Sequence, residues 1–174
     1  MNTSFLAALT DRRLFALGAL ACAGLLGTGY TLQYFFNQDP CPLCLVQRGF
    51  YYGFMLTGIV AVLHNPGRTG IAAYGVLAAL FAGGGGGTAA RQVWLQHLPP
   101  ELVPACGPDL FFMLDNFPLS RTIQKLFVGS GQCAEVKWRF LGLSIAEWSL
   151  VWFTALFVLA LWIVVRALRR KPTT

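Results

Sequence analysis

Four apolar stretches dominate the chain: Leu14–Tyr34, Leu45–Leu63, Ile71–Ala90 and Trp148–Val165, the second interrupted only by Gln47 and Arg48. Each approaches the roughly 20 residues that a helix needs to cross a hydrocarbon core about 30 Å thick. Core helices of soluble proteins are rarely all this long and this apolar, so the pattern predicts four membrane spans. Composition agrees. Only 11% of residues are charged and mean hydropathy is +0.59, whereas a soluble domain carries about 25% charged residues. The expected fold is an all-α integral membrane four-helix bundle, a single domain over 1–174. The spans lie at about 14–34, 45–63, 71–90 and 148–165, with outer loops at about 35–44 and 91–147. The first stretch exceeds the roughly 7–15 apolar residues of a signal-peptide core and ends in Tyr30-Thr31-Leu32-Gln33-Tyr34-Phe35-Phe36, without a small-residue cleavage site. It reads as a retained helix.

Charge sets the expected orientation. Four spans put the N-terminus, the 64–70 loop and the C-terminus on one side, with Arg12, Arg13, Arg68, Arg166, Arg169, Arg170 and Lys171 against one acid, Asp11. That side holds the whole net charge of +6. On the other side Arg48, Arg91, Arg121, Lys125, Lys137 and Arg139 are balanced by Asp39, Glu101, Asp109, Asp115, Glu135 and Glu147. Basic residues favour the cytoplasmic side, so both termini are expected inside. The basic pI is a topology signal, and nucleic acid is not an expected partner. Tyr30, Tyr34, Phe35, Tyr51, Tyr52, Trp94, Trp148 and Trp152 mark the outer interface. In the long outer loop, Leu119, Ile123, Leu126 and Phe127 fall at helical spacing, with Arg121, Gln124 and Lys125 opposite. A short amphipathic helix is expected there, lying in the interface or packed on the protein.

Cys22 lies mid-span and behaves as a small hydrophobe. The other four cysteines, Cys41, Cys44, Cys106 and Cys133, all fall in outer loops, where disulfides persist. Two disulfides are suggested. Cys41-Pro42-Leu43-Cys44 is a Cys-X-X-Cys pair, a spacing that lowers thiolate pKa and forms a small exchangeable ring. Leu45 follows it, which excludes c-type haem attachment. Zinc is the competing reading, but Cys106 and Cys133 are widely separated and His97 is the one outer histidine, a poor match to structural zinc spacing. A structural disulfide suits Cys106–Cys133 better than Cys41–Cys44, because loop-closure stabilisation grows with loop length.

The second span must begin near Leu45 to cross, which puts Gln47 and Arg48 in its first turns. Cys44 and Arg48, four apart, share one helix face. A cation there stabilises a thiolate and donates hydrogen bonds to an oxidised ring carbonyl; the plainer reading is an arginine snorkelling to headgroups. A membrane dithiol also needs a two-electron acceptor. With no haem, flavin or iron–sulfur pattern in the sequence, a lipid-soluble quinone is the simplest one.

These residues resemble the bacterial disulfide bond formation protein B (DsbB) family. The resemblance rests on Cys41-Pro42-Leu43-Cys44-Leu45-Val46-Gln47-Arg48 between the first two spans, on Cys106, and on Gly129-Ser130-Gly131-Gln132-Cys133-Ala134-Glu135 followed by Trp138-Arg139-Phe140-Leu141-Gly142-Leu143. It covers nearly the whole chain. It implies that Cys106 and Cys133 form a disulfide that accepts electrons from a periplasmic thioredoxin-fold oxidant of the DsbA type, with Cys106 the site of the mixed disulfide. Cys41 and Cys44 then re-oxidise that pair, and Cys44 and Arg48 face ubiquinone or menaquinone in the bacterial inner membrane. The vitamin K epoxide reductase family shares four spans and a Cys-X-X-Cys, but there the loop cysteines precede it, the reverse of the order here. Some DsbB-family members carry a histidine at the quinone site near the outer end of the third span. Here Gln92 aligns with it and His97 lies a few residues off, and no role carries over to either. The run Gly83–Gly87 in the third span is unusual; in lipid such small residues permit close helix contact.

Overall fold

The computed structural model describes residues 10–38, 40–103, 118, 131–136 and 138–169. Cys106 and the amphipathic segment 119–127 lie outside them. Four long helices dominate: α1 (Asp11–Phe35), α2 (Pro42–His64), α3 (Arg68–Gln96) and, near the C-terminus, α5 (Ile145–Arg169). All four are long and apolar enough to cross a membrane. The short helix α4 (Gly131–Ala134) and a two-stranded hairpin, β1 (Arg139–Phe140) and β2 (Leu143–Ser144), precede α5.

Each long helix overruns its apolar stretch, for local reasons. Pro42 occupies the first turn of α2, where its missing N–H costs nothing, and Cys41 is the N-cap. At the other end Asn65 closes α2 in the left-handed conformation, its N–H returning to Ala61 O. The start of α5 is a capping box. Glu147 N–H donates to Ser144 Oγ at 3.2 Å, and Ser144 N–H donates to Glu147 Oε2 at 2.6 Å. Ser144 Oγ also donates to Gln96 Oε1 at 2.8 Å, tying the end of α3 to the start of α5. Helix α3 continues through Arg91 to Gln96, residues read from the sequence as loop.

The hairpin was not foreseen. Its register pairs Arg139 with Ser144 and Phe140 with Leu143, leaving Leu141 and Gly142 as a two-residue turn with φ of 52° and 83°. Both positive angles suit a tight hairpin whose twist matches its strands. Trp148 Nε1 donates to Phe140 O at 2.9 Å and so anchors the hairpin to α5.

In the bundle α2 packs between α1 and α3, and α3 packs most extensively on α5. The glycine run explains that closeness. A β-carbon at Gly84 would stand 2.5 Å from the Phe50 ring, and one at Gly85 would collide with the Phe153 ring. Phenylalanines from α2 and α5 thus seat in notches cut into α3. Phe153 also stacks on Tyr51, ring centroids 4.1 Å apart. At the end remote from the Cys-X-X-Cys, buried Asp11 pairs with Arg166 at 3.4 Å. There Arg68 also donates to Ala167 O and Leu168 O, capping α5.

Candidate functional site: a cysteine cluster beside a membrane cavity

Helix α2 opens on the Cys-X-X-Cys itself. Cys41 at the N-cap and Cys44 in the first turn bring their sulfurs to 3.0 Å. A disulfide needs about 2.05 Å between sulfurs, so little movement separates the thiol pair from the bonded one. Cys133, on α4, packs in the same buried cluster as Cys41, Leu43 and Leu95. Cys41 therefore lies between two sulfurs. Hydrogen bonding with Cys133 raises the Cys41 thiol above its ordinary range, and hydrogen bonding with Cys44 and burial add to this.

Two glutamines complete the polar shell. Gln92 of α3 donates through Nε2 to Cys44 Sγ at 3.3 Å and to Cys41 Sγ at 3.4 Å. Its Oε1 accepts from Gln47 Nε2 at 2.7 Å. Both glutamines are buried, each only 4% exposed.

Cys41, Cys44, Gln92 and Gln47 line a cavity of about 920 Å³, walled largely by apolar side chains of α1 and α5 and by the aromatic hairpin. That size is typical of a small-molecule site. Arg48 enters the same cavity from α2. Its guanidinium donates to Gln33 Oε1 at 2.6 Å and to Gly29 O at 3.0 Å, and lies 4.6 Å above the centre of the Tyr30 ring. Of the five N–H donors of a guanidinium, these bonds use two.

Of the residues singled out from the sequence, Cys41, Cys44 and Arg48 thus share one cavity, and Cys133 reaches it through Cys41. Cys22 is fully buried in the apolar core. His97 turns back, its Nδ1 at 2.8 Å from Val93 O. Arg48 is drawn toward α1, and among the described residues the amide at hydrogen-bonding distance from Cys44 is that of Gln92. Sequence reasoning gave Gln92 no role. The signal was available in part: Gln47 interrupts an apolar span, three residues after Cys44 and on its face.

A four-span bundle with clustered exchangeable thiols at one end, opening on an apolar cavity, defines a multi-pass membrane protein of thiol–disulfide chemistry. The family model for disulfide bond formation protein DsbB matches residues 11–163, and the chain belongs to that family. Among its relatives, a disulfide bond formation protein B of Aromatoleum aromaticum is 49% identical over 160 residues, covering 91% of this chain and 95% of the relative. One of Chromobacterium violaceum is 44% identical over 164 residues, covering 92% and 97%.

Proposed function

We propose that the chain re-oxidises a DsbA-type periplasmic dithiol oxidant and passes the two electrons, by way of Cys106/Cys133 and then Cys41/Cys44, to ubiquinone or menaquinone in the bacterial inner membrane. The observation that carries this reading is the order of the sulfurs. Cys133 meets Cys41, Cys41 meets Cys44, and Cys44 lies on the wall of an apolar cavity. The excess of basic residues at the opposite end supports a periplasmic position for the cysteines.

In this mechanism the Cys106–Cys133 disulfide accepts the partner's electrons, with Cys106 forming the mixed disulfide. Cys133 is released as a thiolate and attacks Cys41. The Cys133–Cys41 bond forms, the Cys41–Cys44 bond breaks, and the electron pair leaves on Cys44. The residues present fit a quinone. The cavity offers apolar walls, aromatic side chains for a flat ring, and a guanidinium whose remaining donors suit a ring carbonyl. A quinone supplies, when bound, the capacity to accept two electrons and two protons. Cys44 presents its sulfur to that space, Arg48 orients the carbonyl edge, and Tyr30, Gln33 and Gly29 hold Arg48 in place.

The experiment is direct. Purified protein in detergent is given a short-chain quinone and a reduced DsbA-type protein without oxygen, and loss of oxidised quinone absorbance is followed. Catalytic reduction that disappears in Cys44→Ala supports the electron path. No reduction with any quinone tested, despite outer cysteines paired in disulfides, moves the reading to a membrane protein with structural disulfides. Stoichiometric zinc in the purified protein points to a metal site instead.

A further inference from the structure

When Cys133 displaces Cys44 from Cys41, negative charge develops on the Cys44 sulfur inside a largely apolar surrounding. A thiolate there needs hydrogen-bond donors, since unpaired burial of charge is costly. The two side chains placed to serve it are neutral. Gln92 carries two N–H donors on Nε2, and its nitrogen lies 3.3 Å from one sulfur of the pair and 3.4 Å from the other. One amide therefore addresses both atoms of the breaking bond.

An amide can present either its nitrogen or its oxygen, and only the nitrogen is useful here. The carbonyl end would set a partial negative charge against the thiolate. Gln47 decides the matter, because its Nε2 engages Gln92 Oε1 at 2.7 Å and leaves the nitrogen as the nearer end, 3.3 Å from Cys44 Sγ against 3.6 Å for the oxygen, which accepts from the Cys44 thiol while that sulfur is protonated. Gln47 itself sits on α2 three residues beyond Cys44, so the helix that carries the reacting sulfur also carries the residue that orients its donor.

We propose that Gln92 is a catalytic hydrogen-bond donor to the leaving Cys44 thiolate, and that Gln47 is the positioning residue that fixes the orientation of the Gln92 amide. The proposal rests on Cys41 and Cys44 being an exchanging pair, but on no particular partner or acceptor. It explains how a non-titrating side chain serves this position: the donor is held by geometry, not by protonation.

The test reads the Cys44 thiolate directly. The reduced protein in detergent is alkylated with iodoacetamide across a pH series, and modification of Cys44 and Cys41 is followed by peptide mass spectrometry. The titratable neighbours of Cys44 are Cys41 at the helix start and Cys133 from α4; Arg48, one turn further along α2, faces α1. All are retained in every variant. Gln92→Met is expected to move the Cys44 midpoint up by about one pH unit or more, roughly a tenfold loss of thiolate at neutral pH. Gln47→Glu is expected to act in the same direction and more strongly than Gln47→Leu. Its carboxylate accepts from the Gln92 N–H and turns the Gln92 carbonyl onto the sulfurs. The Cys41 profile moves less than that of Cys44, because Cys133, Cys44 and burial govern it first, and this difference separates loss of a donor from loosening of the site.

An unchanged Cys44 midpoint in Gln92→Met and Gln47→Glu, at wild-type helicity, overturns the proposal. So does Gln47→Leu shifting it more than Gln47→Glu. Should Gln92→Met fail to accumulate, the Gln47 pair alone decides. Because alkylation needs neither quinone nor partner, a failure of quinone reduction leaves this result standing and counts only against the electron path.

Discussion

The thiol of Cys133 hydrogen-bonds with that of Cys41, within a buried cluster at the start of α2. On the proposed electron path, that contact selects the sulfur that a Cys133 thiolate attacks. Removing Cys44 and Cys106 leaves Cys41 and Cys133 as the pair at this end, so a Cys44→Ser, Cys106→Ser protein under mild oxidation is expected to form a Cys41–Cys133 disulfide. Non-reducing peptide mapping reads it. Recovery of both thiols under conditions that oxidise Cys41–Cys44 in the unmodified protein contradicts the assigned order.

The same contacts set a pH dependence. Donation of the Cys41 S–H toward Cys133 and Cys44, with burial, favours the protonated form of Cys41 and raises its titration above the ordinary thiol range. The sign follows: at neutral pH Cys41 is a thiol, and it becomes a thiolate only in strongly alkaline solution. In the folded, reduced protein, Cys41 is expected to alkylate at higher pH than Cys44. In denaturant, where the contacts are gone, the two profiles converge near the free value of about 8.5. Coincident profiles in the folded protein count against the cluster.

Arg48 is held at two points, by Gln33 Oε1 and Gly29 O, with its flat face on Tyr30. Lysine keeps the charge but cannot reproduce a planar fork against two acceptors and a ring. Arg48→Lys is therefore expected to raise the KM for a short-chain quinone by about tenfold, the scale of one charged hydrogen bond. The KM for the dithiol partner is expected to stay unchanged, since on the proposed path the partner's electrons enter through Cys106 and Cys133. Steady-state quinone reduction at varied concentrations of each substrate checks both. An unchanged quinone KM removes Arg48 from the quinone site.

Much of this architecture is legible in the chain. Length and apolarity alone yield four spans, and the Cys-X-X-Cys before the second span yields the place of the cluster. Helix ends are less visible from hydropathy, because an apolar stretch marks the hydrocarbon core and a helix continues past it. The α5 start was nonetheless readable, since Ser144-Ile145-Ala146-Glu147 has the spacing of a capping box. The hairpin was harder: Leu141 adopts a left-handed φ that its residue type disfavours, and tertiary anchoring through Trp148 offsets the preference. The direction of Arg48 and the role of Gln92 depend on how α2 packs on α1 and α3. Periodicity puts Arg48 on the face of Cys44, but it contains no information on which neighbouring helix supplies the acceptor, or on which amide end meets a sulfur.

The glycine run provides the last prediction, because its members are not equivalent. At Gly85 a methyl group would collide with Phe153, a fully buried ring stacked on Tyr51, while at Gly87 nothing lies within 4 Å among the described residues. Gly85→Ala must displace Phe153 or separate α3 from α5, the most extensive helix pair in the bundle. Overpacking of this kind costs about 1–3 kcal/mol. Since Tyr51 and Ser149 also line the cavity, the same displacement reaches the site. Gly87→Ala meets no neighbour and retains the helix. Thermal unfolding in detergent is expected to show a clear loss of Tm for Gly85→Ala and none for Gly87→Ala, with quinone reduction impaired only in the former. Equal losses would mean that the run serves helix flexibility, and equal tolerance would mean that Phe153 repacks at little cost.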